Sequence, residues 1–154
     1  MLMLELGATA PDASLLQQDM TPVTPGELAA GDPILLSFYL YDWTDTCRSQ
    51  LRTLRDRHEE FEALGVRVFG VSRDSPYSHR AYAQQQWLNF SLLTDWSGDA
   101  VRGFGVSQEF DGLADSPVRS CFLIAGDGTV RAAWSYGDDE LPDVDEVLAA
   151  ARDL

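Results

Sequence analysis

The stretch Pro33-Ile-Leu-Leu-Ser-Phe-Tyr-Leu-Tyr-Asp-Trp-Thr-Asp-Thr-Cys47 decides the fold, because it joins a buried strand to the start of a helix. Its first half is a short, almost wholly apolar run, which predicts a core strand over residues 34–40. Its second half is rich in the Thr and Asp residues that cap helices. Apolar residues then recur at helical spacing, which predicts a helix over residues 47–64 that Gly65 ends.

This arrangement puts Cys47 in the first turn of a helix, just past the carboxyl end of a core strand. The unpaired backbone N–H groups and the helix dipole at such a position favour the thiolate, which is the reactive form of cysteine. Free cysteine is also among the most frequently buried residue types, so an inert core thiol is the alternative. The position favours a catalytic role for Cys47.

The rest of the pattern alternates strands and helices. Pro and Gly residues near the start predict a short hairpin (13–16 and 22–24) and one helical turn. Further strands are predicted over residues 66–72, 90–93, 118–124 and 129–134, and further helices over residues 76–87, 98–104 and 144–154. This order is that of a thioredoxin-like fold, an α/β architecture whose mixed central β-sheet is flanked by helices on both faces. Residues 1–154 are predicted to form a single domain.

The charge balance narrows the choice of partners. Asp and Glu total 25 against 11 basic residues, every one of which is Arg, and the net charge is −14. Such a surface repels nucleic acids and anionic membranes, so we expect neither as a partner. No apolar run is long enough to span a membrane, and the first residues lack the basic start of a secretion signal. We therefore expect a cytoplasmic protein.

The absence of Lys together with the excess of Asp is typical of proteins adapted to molar salt, as in salt-loving archaea. Counterions would screen the self-repulsion there, since the Debye length is only about 3 Å at 1 M salt. An acidic mesophilic protein from a high-GC genome, which also prefers Arg to Lys, is the alternative.

Four segments in the expected order resemble the peroxiredoxins, thiol peroxidases built on the thioredoxin fold. Thr44 and Cys47 match the Pro-x-x-x-Thr-x-x-Cys signature of that family, with Leu40 at the position of its proline. Arg119, predicted to open a later strand, falls at the place of the family's active-site arginine. Two further segments are similar to those that follow the signature: Gly70-Val-Ser-Arg-Asp-Ser-Pro-Tyr-Ser-His-Arg-Ala-Tyr82 and Asn89-Phe-Ser-Leu-Leu-Thr-Asp95.

The resemblance implies a reaction and roles for these residues. The Cys47 thiolate would attack the O–O bond of hydrogen peroxide or an organic hydroperoxide and become a cysteine sulfenic acid. The Thr44 hydroxyl would align the peroxide, and Arg119 would stabilise the charge on sulfur and on the leaving oxygen. Leu40 is expected to shield the pocket, and Trp43 either lines the pocket or packs against a partner subunit.

Within the family, the chain is most similar to the one-cysteine or AhpE-like group. It ends at Leu154 without a C-terminal resolving cysteine, and Arg52 stands where another branch has one. The resemblance implies an external thiol reductant, either thioredoxin-like or a small thiol, and a homodimer. We expect no cofactor and no metal, and we expect His58 and His79 to be structural, because neither has a partner at ligand spacing.

Two questions stay open at this point. Cys121 lies two residues after Arg119 on the same predicted strand, so it either resolves the sulfenic acid as an internal disulfide or fills space in the core. Asp42 and Asp45 oppose a thiolate at Cys47 unless both carboxylates point to solvent.

A degenerate peroxiredoxin-like fold that serves as a redox sensor or interaction module is the competing function, and Leu40 and the acidic loop favour it. A disulfide oxidoreductase is disfavoured because no Cys-x-x-Cys occurs.

Overall fold

The computed structural model describes residues 3–154, which fold around a mixed seven-stranded β-sheet. The strands are β1 (Leu15–Leu16), β2 (Pro22–Val23), β3 (Ile34–Phe38), β4 (Arg67–Ser72), β5 (Ser91–Thr94), β6 (Ser107–Phe110), β7 (Leu113–Pro117), β8 (Ser120–Ile124) and β9 (Val130–Ser135). The helices are α1 (Pro25–Leu28), α2 (Asp45–Asp56), α3 (His58–Ala63), α4 (Pro76–Gln85), α5 (Asp99–Gly103) and α6 (Val144–Ala151).

The main sheet has the order β2-β1-β5-β4-β3-β8-β9, with β3 near its centre. β3 pairs in parallel with β4 and antiparallel with β8, so its carboxyl end lies opposite the start of β8, where Phe38 faces Ser120. The predicted thioredoxin-like architecture with a mixed sheet is confirmed. The antiparallel pairing matters for the site, because it brings the segment after β3 next to the residue that precedes β8.

Side chains alternate along β3 between two apolar cores, one on each face of the sheet. Phe38 packs on one face against the rings of Phe104 and Phe122, with centroids 5.4 and 5.9 Å away. Leu35 belongs to the other core, which α2, α3, α4 and α6 cover. Helices therefore lie on both faces, since α1 and α5 contribute to the first core.

The predicted helix over residues 47–64 is wrong in its extent, because it is two helices. Arg57, at φ −105° and ψ 9°, separates α2 from α3. Its guanidinium binds Glu60 and, 2.8 Å from Nη2, the Asp145 carboxylate on α6. The start also differs, since α2 begins at Asp45.

The hairpin formed by β6 and β7 was not predicted from the sequence. Its strands are mostly polar and partly exposed, so they lack the apolar alternation by which a strand is recognised. The signal that was present is the pair Asp111-Gly112, with φ of 49° and 83°, because an Asp-Gly turn at positive φ is typical of tight hairpins.

Several local predictions are confirmed. Ser75 caps α4 by accepting the Ser78 N–H at 3.2 Å, and Pro76 stands in its first turn. Gly65 follows α3 with φ of 73°. The closing helix starts as expected but ends at Ala151. Among the helices of residues 3–154, none has both the length and the hydropathy that crossing a membrane requires.

We predict that Gly70→Ala destabilises the fold. A Cβ at Gly70 would lie 2.7 Å from Leu92 Cδ2, 3.2 Å from Tyr39 Cε1 and 3.3 Å from Leu51 Cδ2, all in the buried core that α2 covers. Overpacking of this kind costs about 1–3 kcal/mol, which urea unfolding measures as a lower midpoint. Gly26→Ala is the control, because nothing lies within 4 Å of its added Cβ. Equal midpoints for the two variants would contradict this packing.

Candidate active site

Cys47 lies in the first turn of α2, beyond the carboxyl end of β3. Thr44 is the N-cap residue of the helix, with extended φ and ψ of −93° and 148°, which makes Cys47 the third helical residue. The Arg48 N–H donates to the Thr44 carbonyl at 2.9 Å, which is the first hydrogen bond of the helix. The backbone N–H groups of the residues before Arg48 therefore have no partner within the helix. The side chain of Cys47 is fully buried. The helix terminus therefore presents its positive dipole end to a sulfur shielded from bulk water.

Arg119 meets this sulfur from the opposite strand. It immediately precedes β8 and is the largest fully buried side chain of the described residues. Its Nη1 donates to Cys47 Sγ at 3.4 Å, and its Nη2 donates to the Asp138 carbonyl at 2.8 Å. A guanidinium this close to a buried sulfur favours the thiolate over the thiol, because opposite charges attract strongly where water is excluded.

Gln50 holds the guanidinium in place, and sequence reasoning missed it. Its Oε1 accepts a hydrogen bond from Arg119 Nη1, while its Nε2 donates to Ser37 Oγ at 2.6 Å and to the Phe38 carbonyl at 3.3 Å. Gln50 is almost fully buried one turn after Cys47 on the same face of α2. A polar residue on an otherwise apolar inward stripe is the signal that would have pointed to it.

A cavity of about 310 Å³ opens over this arrangement. Leu40, Thr44 and Arg119 are among its lining residues, so three of the predicted site residues meet there. The Thr44 hydroxyl donates to the Tyr41 carbonyl at 3.0 Å, which leaves the lone pairs of its oxygen free to accept a hydrogen bond. Leu40 is buried, as expected for a residue that shields the site.

Trp43 is not among the residues that line this cavity, and lining the pocket was one of the two roles that the sequence left open for it. Its backbone has a φ of 74°, which turns the side chain towards α4. There its Nε1 donates to Ser78 Oγ at 3.2 Å and its ring packs at 4.9 Å from that of Tyr82. About half of its surface remains exposed, at 47%.

Cys121 is a buried free thiol in β8. It belongs to the same core as Cys47, on the sheet face that the sequence predicted. Its Sγ lies 3.5 Å from Ser37 Oγ, on the residue directly opposite in β3. Burial raises the pKa of the Cys121 thiol to about 12, so it stays protonated and poorly nucleophilic at neutral pH.

The two carboxylates near Cys47 have different surroundings, and only one points to solvent. The Asp45 side chain is 98% exposed and lies 3.7 Å from Arg48 Nη1. Asp42 is instead buried, so the condition left open by the sequence, that both carboxylates point to solvent, is not met. Its oxygens accept hydrogen bonds from Tyr39 Oη at 2.6 Å and Ser78 Oγ at 2.8 Å.

His79 neutralises the buried Asp42 carboxylate. The His79 Nε2 lies 3.1 Å from the Leu93 carbonyl, an acceptor, so this nitrogen carries a hydrogen. The other nitrogen, Nδ1, lies 2.9 Å from Asp42 Oδ2, and such contact requires one shared proton. Whichever of the two atoms holds that proton, the pair has no net charge. Its contact with Asp42 therefore gives His79 an electrostatic role beyond packing.

The charges of Asp42 and of Cys47 both act on the hydroxyl group of Tyr82. Burial, then the charges of Asp42 and Cys47, raise the pKa of Tyr82 to about 12, so both groups lie near its hydroxyl. A full negative charge on Asp42 would therefore oppose the thiolate.

We predict that His79→Gln raises the pH at which Cys47 becomes reactive. Glutamine keeps a donor for Asp42 but removes the shared proton, so the buried Asp42 carboxylate would carry a negative charge that opposes the thiolate. Iodoacetamide alkylation of Cys47 across pH measures the midpoint. The double variant Asp42→Asn, His79→Gln restores the original midpoint, and His58→Gln leaves it unchanged, because His58 pairs with Glu62 on α3. An unshifted midpoint in the single variant would disprove the role of this pair.

Comparison with known proteins agrees with the geometry of the site. Residues 6–133 match the AhpC/TSA family. Alkyl hydroperoxide reductase E of Mycobacterium tuberculosis is 35% identical over 92% of this chain and 92% of that protein. The chloroplastic peroxiredoxin Q of Sedum lineare is 30% identical over 96% of this chain and 78% of that protein. These relatives confirm the predicted resemblance to the AhpE-like group.

Solved structures give the same result. Peroxidoxin BcpB of Mycobacterium tuberculosis superposes with a TM-score of 0.86 at 27% identity, covering 98% of both chains. Peroxiredoxin Q of Xanthomonas campestris superposes with a TM-score of 0.82 at 30% identity, covering 97% of this chain and 96% of that one. The chain therefore belongs to the AhpC/TSA family of peroxiredoxins, which are thiol-dependent peroxidases.

Proposed function

We propose that this peroxiredoxin reduces hydrogen peroxide or organic hydroperoxides through a sulfenic acid on Cys47. The observation that carries the proposal is the 3.4 Å contact of Arg119 Nη1 with the buried Cys47 Sγ, because Arg119 also lines a cavity together with Thr44. The names of the related alkyl hydroperoxide reductase and peroxiredoxins support the same reaction.

In the proposed reaction the Cys47 thiolate attacks the nearer oxygen of the hydroperoxide. An S–O bond forms while the O–O bond breaks, so sulfur is oxidised to the sulfenic acid and the peroxide is reduced. The leaving oxygen takes a proton and departs as water or an alcohol. Arg119 and the N–H groups at the start of α2 are placed to stabilise its charge, and Thr44 to align the peroxide.

Reduction of the sulfenic acid by an external thiol completes the cycle. An incoming thiol would form a mixed disulfide with Cys47 and release water, and a second thiol would free Cys47. Cys121 is a poor candidate for this step because burial raises its pKa to about 12 and Ser37 contacts its sulfur. A small thiol or a thioredoxin-like protein is therefore the proposed reductant, and the chain acts as a one-cysteine enzyme.

The proposed assembly is a homodimer that contacts through the surface beside the active-site loop. Trp43 and Tyr77 are exposed there, at 47% and 70% of their surfaces. Large exposed aromatic side chains favour burial against a partner. Trp43 would then pack against the partner subunit, which is the second of the two roles that the sequence left open for it.

The proposed setting is a reducing cytoplasm at high salt. Two free cysteines in place of a disulfide support a reducing compartment. The net charge of −14 without any Lys supports adaptation to salt, because dense counterions would screen it.

A redox sensor or interaction module with little turnover is the second candidate function. Leu40 at the family's proline position favours it, since leucine leaves the active-site loop freer than proline does. The comparisons favour the peroxidase, because the relatives are named for peroxide reduction.

We predict that Cys47→Ser abolishes peroxide consumption with a generic thiol reductant and that Cys121→Ser retains it. The reason is that, of the two cysteines, only Cys47 accepts a hydrogen bond from a guanidinium and lies in the first turn of a helix. One equivalent of peroxide should add a single oxygen to the intact mass of the native chain and of Cys121→Ser. Equal slow consumption by the native chain and Cys47→Ser would support the module. Loss of two hydrogens in place of the oxygen gain would show that Cys121 resolves the sulfenic acid.

A further inference from the structure

We propose that the groove over Cys47 selects uncharged hydroperoxides and rejects anionic ones, because carboxylates line its entrance. This inference rests on the proposed function for its physiological meaning. The groove consists of the cavity of about 310 Å³ described above and an adjacent cavity of about 200 Å³. Asp45, Thr46 and Asp139 line both, so the two cavities adjoin each other over the start of α2.

The size and lining of this groove suit an organic substrate. A water-sized molecule occupies about 30 Å³, so hydrogen peroxide would fill only a small part of the space. Apolar side chains lie along the groove at Leu40 and Phe110 in the first cavity and at Leu141 in the second. These surfaces can pack against the alkyl or aryl part of a hydroperoxide while its O–O bond faces the sulfur.

The charges of the groove are unbalanced. Its lining includes three acidic residues, Asp45, Asp138 and Asp139, against one basic residue, Arg119. The Arg119 guanidinium is directed at Cys47, so the thiolate already balances its charge. Arg48 lies 3.7 Å from Asp45, but both side chains reach solvent, and exposed pairs of this kind cancel little of the field.

The residues next to the groove do not cancel its net negative charge. Asp138 Oδ1 accepts only an amide hydrogen bond, from Gln108 Nε2 at 3.2 Å. Glu140 adds a further carboxylate beside the rim and accepts the Gly137 N–H at 2.9 Å. Among residues 3–154, Asp139 has no ion-pair partner within 4.0 Å. A carboxylate on the substrate would therefore enter a region of uncompensated negative charge, whereas a neutral hydroperoxide would not.

The test compares two substrates that differ by one charge. Cumene hydroperoxide carrying a para-carboxylate and its para-carboxamide have nearly the same shape and the same reactive O–O bond. At low ionic strength we expect the native protein to reduce the carboxamide about tenfold faster. At 1 M salt the ratio should approach one, because the Debye length falls to about 3 Å.

Two isosteric triple variants locate the effect. Asp45→Asn, Asp138→Asn, Asp139→Asn should bring the rate ratio close to one at low ionic strength. Asp12→Asn, Asp32→Asn, Asp153→Asn removes the same total charge from exposed positions outside the groove lining and should leave the ratio unchanged. Equal rates for the two substrates in the native protein, or a ratio that survives the groove variant, would overturn the proposal.

A second readout separates this proposal from the peroxidase function. Alkylation of Cys47 in Cys121→Ser by neutral iodoacetamide and by anionic iodoacetate needs no peroxide chemistry. Relative to the unfolded chain, iodoacetate should be disfavoured about tenfold at low ionic strength, and the groove variant should remove that bias. Failure of hydrogen peroxide reduction would disprove the proposed function alone, whereas equal relative alkylation by the two reagents would disprove selection by charge.

Discussion

The contact between the Arg119 guanidinium and the Cys47 sulfur joins the two parts of the chain on which the site depends. Cys47 follows β3 and Arg119 precedes β8, and the antiparallel pairing of these strands places the two ends together. A fully buried arginine is costly unless its donors are satisfied. Here the sulfur, Gln50 Oε1 and the Asp138 carbonyl accept from its two Nη atoms, while the buried Nε has no partner among the described residues. The terminal part of the cation is thus stabilised at the place where the reaction needs it.

Control of negative charge is the second constraint on this site. An acidic chain must keep a thiolate next to carboxylates on the same loop. Asp42 is neutralised by sharing a proton with buried His79, while the exposed Asp45 is screened by water. The remaining carboxylates lie at the mouth of the groove, where they act on what enters more than on the sulfur. The placement of charge thus separates the stability of the thiolate from the selection of its substrate.

The local pattern of a strand followed by helix-capping residues pointed to Cys47, and the resemblance to the peroxiredoxins pointed to Arg119. Gln50 was missed because its role depends on the β3–β8 pairing, which brings Ser37 and Arg119 to one side chain. The burial of Asp42 was missed for a similar reason, since its partner lies 37 residues away on α4.

Local geometry accounts for the other differences between prediction and structure. The helix break at Arg57 involves a contact with α6, far along the chain. The turn of Trp43 away from the groove depends on a backbone with φ of 74°, which composition alone does not reveal. Each of these features depends on a tertiary contact or on a rare backbone conformation.

The most direct measurement of the central claim is the ultraviolet absorbance of the Cys47 thiolate as a function of pH in Cys121→Ser, with Arg119 intact or replaced by Met or Lys. If Arg119 holds the sulfur charged, Arg119→Met moves the transition to higher pH, and Arg119→Lys moves it less. The same transition pH in all three proteins, each folded by circular dichroism, would contradict the account.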